Sequence, residues 1–316
     1  MLGVRVPDEL ALVLCELGGV EELSALGSNG PLLASAGSKS LYHCLFGRDA
    51  IRMAADLVDD FPALARATLI ELARLQGVTV NPRGEEEPGR ILHEFRHPDD
   101  PHAPAAGQWD FPYYGAVDTT PQWIRLLHAY ALRYGLDILE EELTNRAGWR
   151  ITLRDSLLSA LGWIVGRMDD PLCGGYVYVR RANEFGIVNQ VWEDSLDSHY
   201  HEDGTVLEPR RAYAPVAVQG YTYDALLGAA DLLDRAPAPV IFATATLRAR
   251  AARLRWQVLR DFWQPDLGTF AMAMAAEADG SLRPVRVAAS SAGHLLASRL
   301  LEGADAAPKR VRLINR

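Results

Sequence analysis

The chain has 316 residues, 49% hydrophobic and 23% charged, which is typical of a globular domain with an apolar core. Its net charge of −9 argues against binding to nucleic acids or to anionic membranes. Three widely spaced cysteines (Cys15, Cys44 and Cys173) match neither a disulfide framework nor a metal site, which favours a reducing, cytoplasmic environment. We find no signal peptide and no apolar run long enough to span a membrane, and we expect no cofactor.

Residues 1–40 are interpreted as an entry segment or as the remnant of an upstream domain, because glycine, serine and alanine predominate before residue 40. A helical pattern begins at Phe46. Pro62 opens a second helix that is predicted to end at Gln76. The segment 78–117 is too long for a simple connector and is predicted to be a functional loop.

Apolar residues recur at helical spacing in four later segments. These helices are predicted after the N-cap cluster Asp118–Pro121, over 153–164, after Gln219–Tyr221 and over 240–262. Alternation around Asp279 and Gly280 predicts a β-hairpin over 270–287. Ser290 and Ser291 are then expected to cap a last helix that ends at Leu301.

Polar and aromatic strings are predicted to precede alternate helices, at 46–49, 115–120, 219–223 and 290–294. Helical hairpins in series commonly curl into a solenoid or close into a toroid. In a toroid, the N-termini of alternate helices surround one mouth and offer N–H groups to bound hydroxyls. Capping alone would explain the serines, threonines and aspartates of these strings, but not Arg48, Gln219 or His294.

The segment Asn189–Ser198 holds three carboxylates, one indole and two amides within ten residues. An indole can stack on a sugar ring, amides can bind hydroxyls, and a protonated carboxyl can deliver a proton to a glycosidic oxygen. The alternative is a solvated acidic loop that is anchored by Trp192.

Two other strings have the same two interpretations. Arg48 and Asp49 either grip sugar hydroxyls or place an aspartate at a helix N-terminus, where it offsets the dipole. The segment 88–96 carries His93, Glu94 and Arg96, which either point into a cleft or belong to a solvated loop.

The aromatic run 109–115, which includes Tyr113 and Tyr114, is interpreted as a sugar-stacking wall, with a satellite of the core as the alternative. His199 and His201 have no metal-binding partner at a suitable spacing, so we expect no metal site.

Six strings together resemble bacterial glycogen-debranching and amylo-alpha-1,6-glucosidase-type proteins, of the six-hairpin glycosidase group. The strings occur in family order: FGRDA at 46–50, PGRILHEFR at 88–96, PYYGAVDTTP at 112–121, NQVWEDSLDS at 189–198, VQGYTYDA at 218–225 and SSAGHLL at 290–296. They extend over most of the chain. One alone would be weak, whereas six in order are specific.

The resemblance implies an all-α fold, an (α/α)6 toroid that is incomplete over residues 41–316, with small β-hairpins in its loops. It implies inverting hydrolysis of α-glucosidic linkages in glycogen-like or oligosaccharide substrates. Asp194 is the expected general acid, with Glu193 as the alternative because related glucoamylases place the acid directly after the tryptophan. Substrate contacts are expected from Arg48, Asp49, His93, Glu94, Arg96, Tyr113, Tyr114, Asp118, Gln190, Trp192, Gln219 and His294.

Three departures from the family pattern qualify this expectation. Ala217 stands where relatives carry a glutamate, almost none of the upstream β-sandwich domain is present, and the later helices are missing. The general base is therefore expected beyond residue 316. Two alternatives stay open: a non-catalytic carbohydrate-binding remnant, and a sugar epimerase or isomerase, which would need paired histidines facing the pocket.

Two structural expectations follow. The side chains of Arg48, Asp49, His93, Glu94, Trp192 and Asp194 should converge at one mouth. The apolar stripes Ile51/Ala54/Val58 and Leu295/Leu296/Leu300 should lack partners, because an incomplete toroid leaves its edge helices uncovered. We therefore expect either a homodimer across that edge or binding to a separately encoded C-terminal remainder.

Overall fold

The computed structural model describes residues 33–34, 41–97, 100–103, 108–236 and 243–315. Helices predominate in these ranges, as expected. The α-helices are α1 (Gly47–Asp56), α2 (Pro62–Arg74), α3 (Thr119–Tyr134), α4 (Leu153–Asp169), α5 (Val216–Arg235), α6 (Thr244–Asp261) and α7 (Ala307–Ile314). Short 3₁₀-helices cover Pro82–Gly84, Leu136–Glu140, Pro171–Cys173, Ser290–Ala297 and Arg299–Leu301. The predicted entry segment lies outside the described residues, apart from 33 and 34.

Short antiparallel strands join the loops between the helices. The strands are β1 (Leu45–Phe46), β2 (Glu94–Phe95), β3 (Glu142–Thr144), β4 (Arg150–Thr152), β5 (Tyr213–Pro215), β6 (Trp263–Gln264), β7 (Thr269–Phe270), β8 (Ala273–Ala276) and β9 (Leu282–Val285). β1 pairs with β2, β3 with β4 and β6 with β7, while β8 lies between β5 and β9. The β8–β9 pair, with Ala276 opposite Leu282, confirms the predicted hairpin.

Local signals fix several helix starts. Pro62 occupies the first turn of α2, where its missing N–H costs nothing. Thr152 and Asp155 form a capping box at α4, in which each side chain accepts a hydrogen bond from the other residue's backbone N–H. Such a cap contributes about 1 kcal/mol and explains why α4 begins at Leu153.

α5 lies at the centre of the packing. It contacts α3, α6 and the 3₁₀-helix Ser290–Ala297, while α1 packs against α2 and α3. Buried residues occur around much of the circumference of α5, which is typical of a helix enclosed by neighbours.

Two predicted helix boundaries are wrong. α5 begins at Val216, so the string 219–223 lies inside its first turns and does not precede it. The predicted last helix is a pair of 3₁₀-helices that end at Leu301. The predicted start of the sixth helix at residue 240 lies outside the described residues, and α6 is described from Thr244.

The predicted uncovered edge is also wrong. Ile51, Ala54 and Val58 are buried, because α2 and α3 cover α1. Leu295 and Leu300 are buried against α5, and Leu296 packs partly buried against the same core. The apolar stripes therefore give no support to a dimer across an open edge.

Cys44 and Cys173 are both buried free thiols in the described part of the chain. Burial raises the pKa of each thiol to about 12, so both remain protonated at neutral pH. Across the described ranges, we find no helix that combines the length and the apolar content needed to cross a bilayer.

Candidate active site

A cavity of about 470 Å³ lies where the first turns of α1, α3 and α5 meet the 3₁₀-helix Ser290–Ala297. Its walls include Arg48, Asp49, Trp192, Tyr221 and His294. This volume lies within the range of small-molecule binding sites. The N-terminal parts of alternate helices thus surround one cavity.

Arg48 joins three parts of this site. Its Nε and Nη2 donate to the two carboxylate oxygens of Asp118 at 2.9 and 3.3 Å. Its Nη1 lies 3.6 Å from Oδ2 of Asp194. Asp118 is fully buried just before α3, so the Arg48 guanidinium compensates a charge that would otherwise be costly to bury. Asp194 and Arg48 therefore lie at one face, and Asp49 is exposed beside them.

Trp192 and His294 form the aromatic part of the cavity wall. Their ring centroids are 4.8 Å apart with the planes tilted by 41°. The Nδ1 of His294 shares a hydrogen bond with the Tyr221 hydroxyl, and the two rings meet edge to face. Burial and the nearby Arg52 guanidinium lower the pKa of His294, so its ring is neutral at pH 7. The indole Nε1 of Trp192 has no hydrogen-bond partner among the described residues.

Glu193 directly follows Trp192 in the chain but does not line the cavity. Its Oε1 accepts a hydrogen bond from the Ser291 hydroxyl at 2.5 Å, while its Oε2 is buried without a partner in the described structure. Burial raises the pKa of Glu193, and the nearby Asp118 carboxylate adds to the rise. Burial thus favours the protonated form of Glu193, whereas the Asp194 side chain is 47% exposed and pairs with Arg48.

His199 approaches the same carboxyl. Its Nε2 lies 3.8 Å from Oε2 of Glu193, and its Nδ1 lies 3.1 Å from the Ser198 hydroxyl. Burial lowers the pKa of His199 to about 4, so the imidazole is neutral near pH 7. The pair thus stays uncharged in the interior when Glu193 holds a proton.

The predicted sugar contacts Glu94 and Arg96 are placed elsewhere. Arg96 Nε donates to Glu94, its Nη1 donates to Asp100 at 3.1 Å, and its Nη2 donates to the Leu41 carbonyl at 2.6 Å. The Cys44 thiol also faces Glu94, at 3.7 Å. These charges satisfy one another in a buried network and do not line the cavity.

The predicted sugar-stacking wall belongs to the core. Tyr113 and Tyr114 have no exposed surface. The Tyr113 hydroxyl accepts a hydrogen bond from the Ile187 N–H at 2.8 Å, and the Tyr114 hydroxyl donates to the Leu75 carbonyl at 2.5 Å. His93 is buried with its ring edge to face against both Phe46 and Tyr113. The convergence predicted around Arg48 therefore includes Asp49, Trp192 and Asp194, but not Glu94.

Gln190 and Gln219 also have structural partners. Gln190 Oε1 accepts a hydrogen bond from the buried Arg90 guanidinium at 2.9 Å. The Gln219 amide bonds to both backbone groups of Val177 and to the Pro215 carbonyl, so it ties α5 to a neighbouring loop. Both glutamines are fully buried.

Several cavity residues were missed by sequence reasoning, namely Arg52, Gln122, Tyr221, Ser290, Gly293 and Ala297. Arg52 follows Arg48 by one helical turn, and Gln122 lies one turn after Asp118. That spacing is a usable signal, because residues four apart share a helix face.

No group of three His, Cys, Asp or Glu side chains within the described ranges is placed to hold a metal ion. Comparison of the chain with protein-family models and with curated proteins finds no match.

Proposed function

We propose that the chain is a glycoside hydrolase that acts on α-glucosidic linkages of glycogen-like or oligosaccharide substrates with inversion. One observation carries this proposal. Trp192 lines one cavity with Arg48 and Asp49, and Asp194 pairs with Arg48, although more than a hundred residues separate the two strings in sequence. An indole, free hydrogen-bonding atoms and carboxyl groups in different environments are what glycoside hydrolysis requires.

Glu193 is assigned as the general acid, in place of Asp194. A general acid needs a pKa above that of an ordinary carboxyl, and burial raises the pKa of Glu193. Asp194 then helps to orient Arg48 at the sugar. Trp192 offers its ring to the sugar, and His294 offers a neutral ring beside it.

The helices support an arrangement of the (α/α)6 toroid type. In such a toroid the N-terminal ends of the inner, alternate helices surround the substrate mouth. Arg48 at the start of α1, Gln122 in the first turn of α3 and Tyr221 near the start of α5 all line one cavity. α2 and α4, which lie between these helices in sequence, contribute nothing to its lining.

The test measures glucose release from isomaltose, panose and a branched dextrin by the unmutated chain and by Glu193→Gln and Asp194→Asn. Asp197→Asn is the matched control, because Asp197 is exposed in the same segment. Loss of a general acid commonly costs roughly 10²–10⁴-fold in rate. We expect that loss for Glu193→Gln, a smaller loss for Asp194→Asn, and none for Asp197→Asn.

Alpha-glucosyl fluoride separates acid catalysis from other defects, because fluoride departs without needing a proton. Glu193→Gln should therefore retain most of its activity on this substrate. A larger loss in Asp194→Asn on glucosides, with rescue by the fluoride, would assign the acid to Asp194.

One observation favours a second candidate, a carbohydrate-binding protein without catalysis. Arg48 forms ion pairs with both Asp118 and Asp194, so both carboxylates are paired within the protein. Sugar binding by the unmutated chain without any glucose release would support this candidate and would refute the hydrolase.

A further inference from the structure

A second groove runs along the exposed face of α4. It consists of two adjoining cavities of about 490 and 660 Å³, which share Pro88, Gly162 and Trp163. Its lining positions on α4 extend from Asp155 to Arg167, about 18 Å at the rise of an α-helix. Of the residues described, none lines both this groove and the cavity around Arg48.

Two glycines of α4, Gly162 and Gly166, line the groove at positions where a larger side chain would meet no neighbour. A Cβ added to Gly162 or Gly166 would meet no atom within 4 Å. Gly89 differs, because a Cβ there would come within 2.1 Å of the Ser159 carbonyl oxygen. Glycine in a helix interior is less stable than alanine, so α4 loses stability at two positions that line the groove and would accommodate a methyl group.

An exposed indole stands at one end of the groove. Trp149, between β3 and β4, lines it and is 63% exposed. Trp163, only 6% exposed, forms the wall that both cavities share. Its Nε1 donates to Glu87 at 2.6 Å, and the Arg167 guanidinium lies 5.6 Å from its ring centroid. One indole is thus held rigidly, while the other is free to stack on a ligand.

The polar lining suits a neutral ligand with hydroxyl groups. Gln76 is 4% exposed, and its Nε2 donates to the carbonyls of Gly89 and Ser156. Gln76 lines the groove, where its side-chain carbonyl can accept a hydrogen bond from a ligand. Three arginines and three acidic residues line the two cavities, so the groove has no net charge: Arg167, Arg180, Arg181, Glu87, Asp155 and Asp170.

We propose that this groove binds a linear neutral oligosaccharide, one strand of an α-glucan, as a site separate from the candidate active site. The choice of sugar rests on the proposed function, whereas the site itself does not depend on catalysis. The elongated shape accommodates several linked sugar units. Trp149 stacks on one of them, and Gln76 accepts a hydrogen bond from a hydroxyl.

Titration calorimetry with maltoheptaose tests the proposal on the full chain. The variants are Trp149→Ala and the double variant Gly162→Ala/Gly166→Ala, which adds two methyl groups to the lining of the groove. Trp256→Ala is the matched control, because Trp256 is 58% exposed on α6 and stacks on Arg260 away from the groove. Trp192→Ala reports on the candidate active site.

We expect each groove variant to weaken maltoheptaose binding roughly tenfold, as expected when an anchoring contact is lost. The double glycine variant should also melt at a higher temperature, which excludes misfolding as the cause. Trp256→Ala should bind as the unmutated chain does. Unchanged affinity in both groove variants, or no maltoheptaose binding by the unmutated chain, would overturn the proposal.

Glucose release from isomaltose separates this proposal from the proposed function. Absence of hydrolysis with groove-dependent binding would refute the hydrolase alone. Binding that depends only on Trp192 would refute the groove alone.

Discussion

Two segments of this chain carry similar mixtures of aromatic and charged residues, yet the structure uses them differently. In Asn189–Ser198, Trp192 lines the candidate cavity, and Asp194 pairs with Arg48, which lines it too. In the segment 88–114, Glu94 and Arg96 pair with each other, and the Tyr113 and Tyr114 hydroxyls bond to the backbone. Composition therefore does not identify a binding site. Buried polar atoms without a hydrogen-bond partner occur in both segments, for example Trp192 Nε1 in the first and His93 Nδ1 in the second. The distinguishing property is whether the side chains line the cavity around Arg48.

The largest loss of stability is expected when Arg90 is replaced, because we interpret this residue as structural. Its guanidinium is 1% exposed and donates to the Glu85 carbonyl and to Gln190. Arg90→Met would leave the buried Glu85 carboxylate without its cation, at a cost of about 3–5 kcal/mol of unfolding free energy. Urea unfolding measures this loss.

Arg52→Met is the control, because Arg52 lines the candidate cavity and pairs with an exposed Asp56. We expect a change within about 0.5 kcal/mol. Equal losses of unfolding free energy in the two variants would contradict the interpretation of Arg90 as a structural residue.

The second prediction concerns pH and His199. The pKa of this histidine falls from 6.5 to about 4 on folding, because burial disfavours the charged ring. Between these values the unfolded chain binds more protons, so stability is lost as the pH falls from 6.5 towards 4. The loss amounts to about 3 kcal/mol for this one residue. Unfolding of the unmutated chain and of His199→Gln should be measured at pH 7, 5.5 and 4.5.

The variant should lose less stability over that range. Titration of Glu193 has the opposite effect on stability. Its pKa is raised in the folded protein, so its contribution favours the folded state at low pH and is lost as the pH rises. Parallel stability curves for the two proteins would show that His199 is not the group that titrates.

Local sequence signals account for much of the fold, and long-range contacts account for the errors. The proline of α2, the start of α4 and the alternation of β8 and β9 are local features and were predicted. Gln219 is predicted from its string to precede a helix and to contact the substrate. Its partners Val177 and Pro215 show that it is buried inside α5, and the contact with Val177 spans 42 residues. No local pattern encodes such a contact.

The candidate site divides in the same way. Arg48, Asp49, Trp192 and His294 were named from their strings and line the cavity. Tyr113 and Tyr114 were named from an equally dense string and lie in the core. The hydroxyl of Tyr113 is satisfied by Ile187, 74 residues away, which the sequence of the string cannot reveal.

Tyr113→Phe tests the structural side of the comparison with a smaller change. Removing the hydroxyl leaves the Ile187 N–H without its acceptor in a partly buried place, which costs about 1–3 kcal/mol. Maltoheptaose and isomaltose binding should not change, since Tyr113 does not line the cavity. Weaker sugar binding at unchanged stability would show that Tyr113 contributes to a sugar-binding site.

Tyr221→Phe is the matched change on the cavity side, and we expect a smaller effect on stability from it than from Tyr113→Phe. In the described part of the chain, the Tyr221 hydroxyl bonds to His294 Nδ1 at the cavity wall, and the Tyr221 ring packs against the Arg125 guanidinium, 5.1 Å from its centroid. Water can replace the lost partner there, so the loss of unfolding free energy should be about 1 kcal/mol.

The same variant should also change the tautomer of His294, because a hydroxyl that donates to Nδ1 fixes the tautomer whose Nε2 carries the proton. Nitrogen-15 shifts of the His294 ring should therefore show a mixture of tautomers in the variant, together with weaker isomaltose binding. Unchanged tautomer and affinity would mean that His294, although it lines the cavity, does not depend on Tyr221 to present its ring to a sugar.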